Sequence, residues 1–133
     1  MTHYTKLHVL VDTHLQDDTN TKEQLLWLIQ AELNKKEAYQ FVLAPHVQMP
    51  GKLLRVTLMT AAVETGSKYH RVHAHFTLEV KHNSAFLLTA ADGININARM
   101  MKWFEAHMPW ATSPFVSVKL GDARAENYVA KNE

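Results

Sequence analysis

The sequence predicts an α+β fold: one domain, with a central antiparallel β-sheet and helices packed mainly on one face. Four runs, "KLHVLVD", "KLLRVTLMTAAVE", "RVHAHFTLEV" and "FVSVKL", are rich in β-formers or alternate polar and apolar residues. Between them lie two stretches whose apolar residues recur at helical spacing. A length of 133 residues, 47% hydrophobic and 20% charged, fits a single globular core and is too short for two ordinary domains.

Taken in order, "KLHVLVD" sets Leu7, Val9 and Val11 against His8 and Leu10, as a first strand ending near Asp12 would. In "DDTNTKEQLLWLIQAELNKK", Asn20 or Thr21 offers a helix cap. Leu25, Leu28, Ile29 and Leu33 then line one face, and Lys35 and Lys36 suit the C-terminal end. The prolines and glycine of "APHVQMPG" make a loop. The next two strands form a hairpin through "TGSKYHR". "DGININARMMKWFEAHM" begins with turn chemistry and continues as a second helix presenting Ile96, Met100, Trp103 and Phe104 and stopped by Pro109. After "FVSVKL", "GDARAENYVAKNE" is expected to be a closing helix, with Asp122 as cap and Asn127, Tyr128 and Lys131 roughly on one face. The expected order is β-α-β-β-α-β-α.

Composition excludes several classes. The longest apolar runs, such as "FVLA" and "AFLL", fall far below the roughly 18 residues a membrane span requires. "MTHYTK" has no basic segment followed by an apolar one, so no leader is expected, and with no cysteine there is no disulfide framework. An intracellular location is the expectation. A net charge of +1 argues neither for nor against nucleic acid, because basic residues need line only one groove. Lys52, Arg55, Arg71, Lys119 and Arg124 are candidates to follow a phosphate backbone.

The chemistry begins at "RVHAHFTLEV". Val72, Ala74, Phe76, Leu78 and Val80 share the core face, which leaves Arg71, His73, His75, Thr77 and Glu79 on the other. Two imidazoles at consecutive positions on one face are able to hold a single divalent ion, although nine histidines in the chain make a chance pair easy. With Arg, His, His, Thr and Glu on this strand, the face is read as built for a cation or a phosphate and not for base stacking. A carboxylate would improve the match to Mg²⁺ or Mn²⁺. Glu64 leads, because the hairpin brings it alongside; simple alternation from Leu54, Val56 and Leu58 nevertheless assigns it to the core face. A bulge at "TAAV", or pairing that stops earlier, would re-aim it. Glu79 stands roughly 13 Å from His75 along the strand and is rejected. His8 and Asp12 come next after Glu64. In "ENYVAK", Tyr128 offers a nucleophile, and Lys131, three residues on, reaches the same anion on a helix. Tyr69 is its rival.

The ordered set of Glu64, "HAH" at 73–75 and "YVAK" at 128–131 resembles the HUH endonuclease domain of the replication initiator (Rep) proteins of circular single-stranded DNA viruses. The likeness spans the chain in element order and is most specific from Glu64 onward. It implies an RRM-like HUH sheet topology, with Glu64, His73 and His75 as ligands of Mn²⁺ or Mg²⁺, Tyr128 as nucleophile and Lys131 as its phosphate-side helper. "HAH" is the two-histidine form of the wider superfamily, where many viral members carry glutamine second. "VLVDTHL" stands where the first family motif falls and departs from it, which leaves Asp12 and Thr13 without an assigned role.

The activity implied is nicking of single-stranded DNA at a replication origin, with a covalent 5′-phosphotyrosine link, to begin and end rolling-circle replication. The resemblance further implies a helicase domain beyond these 133 residues, a monomeric isolated domain, and the host nucleus as location for a eukaryotic virus. Two other readings compete: a single-stranded nucleic-acid binding module without chemistry, and a metal-dependent phosphodiesterase that uses water.

Overall fold

Strand β1 (Thr2–Gln16) lies at the centre of the sheet between β3 (Arg71–Asn83) and β4 (Phe115–Gly121), and β2 (Leu53–Thr65) pairs with the far side of β3. All three pairings are antiparallel, in the order β2-β3-β1-β4. The computed structural model describes residues 2–16, 19–43, 53–66, 71–83, 90–111 and 114–121. Outside these fall the expected loop at 44–51, Lys52 at the start of the second expected strand, Tyr69 of the hairpin connection, and the expected closing helix with Asp122, Arg124, Asn127, Tyr128 and Lys131.

Alternation does the work that the sequence assigned to it. Leu7, Val9 and Val11 of β1 meet Leu78, Phe76 and Ala74 of β3 in register, and each is at most 3% exposed. On the other side of β1, Val11, Val9 and Leu7 face Val116, Val118 and Leu120 of β4. Helix α3 (Ala90–His107) closes over this apolar face with Ile96, Met100, Trp103 and Phe104, all buried. Each large side chain removed from water here contributes about 1.5–3 kcal/mol. Asn97 of α3 also accepts from the Val118 N–H at 2.6 Å and donates to the Val116 carbonyl at 3.2 Å. Its amide thereby occupies backbone groups on β4 that an edge strand would otherwise leave open to pairing.

The first helical region departs from expectation. Instead of one helix running to Lys36, α1 (Thr19–Trp27) passes into a π-helical turn, Leu28–Glu32, marked by the Leu33 N–H donating five residues back to the Leu28 carbonyl. The wider turn still buries Leu25, Leu28, Ile29 and Leu33. Lys35 is extended (φ −87°, ψ 151°), and a further helix, α2 (Lys36–Val42), starts after it. Ala38, Tyr39 and Val42 of α2 are buried, a 1-2-5 spacing that fits a helix but is too short to stand out in the sequence. No helix among the described residues is long and apolar enough to cross a membrane.

Candidate metal centre

With α1 and α3 on the apolar face, the opposite face of the sheet carries the polar rows. Register places Glu64 beside His73, and His73 beside Asp12, which itself pairs with Phe115. The next row holds Ala62, His75, Leu10 and Ser117, and the one beyond it Thr60, Thr77, His8 and Lys119.

Glu64 reaches this face because β2 does not alternate without interruption. Leu58 pairs with Leu78 but Thr60 pairs with Thr77, so Met59 is an extra residue in the strand. Such a bulge reverses the facing of everything after it. Ala61 and Val63 thus turn to the core while Ala62 and Glu64 turn outward. The irregularity lies just ahead of "TAAV", and the core-facing position that unbroken alternation from Leu58 gave Glu64 is corrected by it.

The three candidate ligands come together. One oxygen of Glu64, Oε1, lies 3.1 Å from His73 Nε2 and 3.2 Å from His75 Nε2, and one donor atom from each residue falls within 4.8 Å of the others. Ligand atoms at right angles, each about 2.1 Å from a common ion, stand about 3 Å apart. The spacing therefore fits a divalent ion, and two imidazoles with one carboxylate form a donor set that first-row metals accept. Ala62, directly beside His75, has no side chain long enough to obstruct the diagonal from Glu64. The His73 and His75 rings meet edge to face at 5.0 Å. The His73 side chain is 20% exposed, against 54% for His75 and 58% for Glu64, so one imidazole is anchored while the outer side of the group meets solvent. The second nitrogen of His73, Nδ1, lies 3.4 Å from the Arg71 carbonyl, a backbone partner of the kind that orients a ligating imidazole.

The remaining candidates are engaged elsewhere. Glu79 shares the face but pairs with Lys6 at 2.9 Å, which agrees with its rejection. Asp12 sits next to His73 in register, yet its Oδ2 is 3.5 Å from the Arg71 guanidinium and its Oδ1 accepts the His14 N–H at 2.9 Å. His8 lies 3.4 Å from the Thr77 hydroxyl, two rows from His73. Thr13, left without a role by the sequence, is fully buried: its hydroxyl donates to the Val72 carbonyl at 2.9 Å and accepts from the Leu15 N–H at 3.0 Å.

Two features of this face escaped the sequence. Arg71 is held between Asp12 and His14 Nδ1, the latter at 2.9 Å, and His14 takes a left-handed backbone (φ 61°) where β1 breaks register with β3. Arg71 lies 57 or more positions from both, so only the pairing of β1 with β3 brings them together. Phe115 is the second, an aromatic 49% exposed in the same row as Glu64 and His73. The signal was present: in "PFVSVKL", Val116, Val118 and Leu120 take the core and leave Phe115, Ser117 and Lys119 outside. Compared with known proteins, the chain matches no family model and no curated sequence.

Proposed function

We propose that this chain is a metal-dependent single-stranded DNA endonuclease of the replication-initiator kind, nicking an origin by transesterification through Tyr128. The observation that carries the reading is the convergence of Glu64, His73 and His75 on the sheet face away from the helices. In this reading the three residues hold Mn²⁺ or Mg²⁺. When bound, such an ion draws charge from a scissile phosphate and makes phosphorus a better electrophile. Tyr128 supplies the attacking oxygen: its Oη bonds to phosphorus, the bond to the 3′ oxygen breaks, and the phenolic proton is balanced by one taken up at the released 3′-OH. Lys131 holds charge on the same phosphate. Arg71, fixed by Asp12 and His14 two residues before His73, is suited to a neighbouring phosphate. The free 3′-OH primes synthesis, and attack by a later 3′-OH on the phosphotyrosine rejoins the strand.

The test is covalent capture. A labelled pool of randomised single-stranded oligonucleotides supplied with Mn²⁺ should become attached to the protein, and mass mapping should find the link in "AENYVAK". Attachment at Tyr69 would move the nucleophile. Cleavage without attachment would mean that water attacks, and no cleavage from an exhaustive pool would leave a binding module. Tyr128→Phe should abolish attachment while binding persists, because only the attacking oxygen is lost. Lys131→Ala should slow the reaction without stopping it, one positioned cation among several contributing part of the charge stabilisation.

A further inference from the structure

Phe115 stands half exposed on the sheet face that carries the metal group. It opens β4 between two buried residues, Pro114 and Val116, and alternation turns its ring out of the core and onto the face that carries the metal group. Its row reads Glu64, His73, Asp12, Phe115 across the four strands. From His73 to Phe115 is two strand spacings, roughly 10 Å, a span that one nucleotide covers from its phosphate to the far side of its base. Cations flank the path: Arg71 is held at one side by Asp12, and Lys119 stands exposed four residues along β4 on the same face. An aromatic ring beside a phosphate-binding group, with cations on either hand, is the combination by which proteins hold single strands, the charges following the backbone and the ring stacking a base.

We infer that Phe115 stacks the base of a nucleotide adjoining the phosphate held at Glu64, His73 and His75, and so sets where along the strand cleavage falls. The inference rests on the single-stranded DNA reading above, but its test can fail separately. Tyr4 serves as the internal control: it is 50% exposed on the same face, yet eight residues from Asp12 along β1, roughly 26 Å away.

The experiment measures binding of a fluorescent pool of randomised single-stranded DNA of about 12 nucleotides, within the usual site size, in EDTA so that the metal plays no part. Phe115→Leu should weaken binding about tenfold, the loss of one stacked base, and Phe115→Trp should restore it. Tyr4→Leu should change it less than about twofold. Equal binding by Phe115→Leu and the wild type, or an equal loss in Tyr4→Leu, overturns the inference, as does a wild type that does not bind the pool. If Phe115→Leu weakens binding but Mn²⁺ yields no attachment, the stacking platform stands and the endonuclease reading falls. Normal attachment at an unshifted cleavage position in Phe115→Leu has the opposite consequence.

Discussion

The two faces of β3 follow different rules although their residues alternate along one strand. On the core side Val72, Ala74, Phe76, Leu78 and Val80 are at most 2% exposed and are specified by hydrophobicity alone. On the other side His73 and His75 keep part of their surface in water and meet a carboxylate from a neighbouring strand. Burial is a property that each residue carries with it. The site is a property of register, and register was decided by one extra residue, Met59, on another strand.

The sharpest test of this contrast swaps stability against chemistry. His73→Ala and His75→Ala should each lower metal-dependent cleavage at least about 100-fold, since even partners outside the ligand shell contribute 10- to 100-fold. The unfolding free energy of His75→Ala should stay within about 0.5 kcal/mol of wild type, as for exposed positions generally, and that of His73→Ala, whose side chain is 20% exposed, within about 1 kcal/mol. Phe76→Ala, at the core-facing residue that follows His75, should cost about 3–5 kcal/mol in urea unfolding while the surviving folded protein keeps its metal affinity. A histidine variant that unfolds, or a Phe76 variant that binds metal poorly while folded, would mean that the two faces are not separable.

That contrast also explains how much could be read in advance. The strands, α3 and the core residues Ile96, Met100, Trp103 and Phe104 were legible because period-two and helical patterns are local. The candidate ligands were legible as residue types, but the position of Glu64 was not, because a bulge leaves no mark in a β-rich run such as "VTLMTAAV". The end of the first helix was missed for a related reason: a π-helical turn keeps apolar residues on roughly the expected face while displacing the backbone that follows. Asp12, His14 and Arg71 belong to two segments whose meeting is purely tertiary.

Deleting Met59 sharpens the comparison on β2 and should have a smaller effect than the histidine substitutions. Without the extra residue, one half of the strand must turn over. Turning the second half would drive the Glu64 carboxylate into an apolar core, a cost of several kcal/mol with no buried partner. Turning the first half exposes Val56 and Leu58, both already partly exposed, for less than the about 1.5–3 kcal/mol each that full burial is worth. It also brings Thr57 and Arg55 to the core side, where Arg55, near the start of the strand, can carry its guanidinium out to water along its apolar stem. The first half should therefore yield: stability falls by a few kcal/mol and Mn²⁺ affinity, followed by titration, is retained. Loss of Mn²⁺ binding in a folded deletion variant would show that the second half turned instead.

The smallest expected effect concerns a titratable group on the helical side. The Tyr39 phenol is pushed up to about 12 because burial disfavours its ionised form, and its hydroxyl donates to Asn34 Oδ1. Its folded value lies above the ordinary value of 10.0, so the folded state binds the proton more tightly than the unfolded chain does. The resulting stability is fully present below pH 10 and is lost as pH rises through about 12. The measurement is a difference, which isolates this one hydroxyl: urea midpoints of wild type and Tyr39→Phe compared from neutral pH upward. At neutral pH the substitution should cost about 0.5–1.5 kcal/mol, the net worth of one hydrogen bond whose acceptor, on the exposed Asn34, can turn to water. Above pH 10 the gap should narrow and then reverse, because phenylalanine has no proton to lose. Parallel curves across that range would show that the phenol ionises as readily in the folded protein as in the unfolded chain, and that this part of the helical layer admits water.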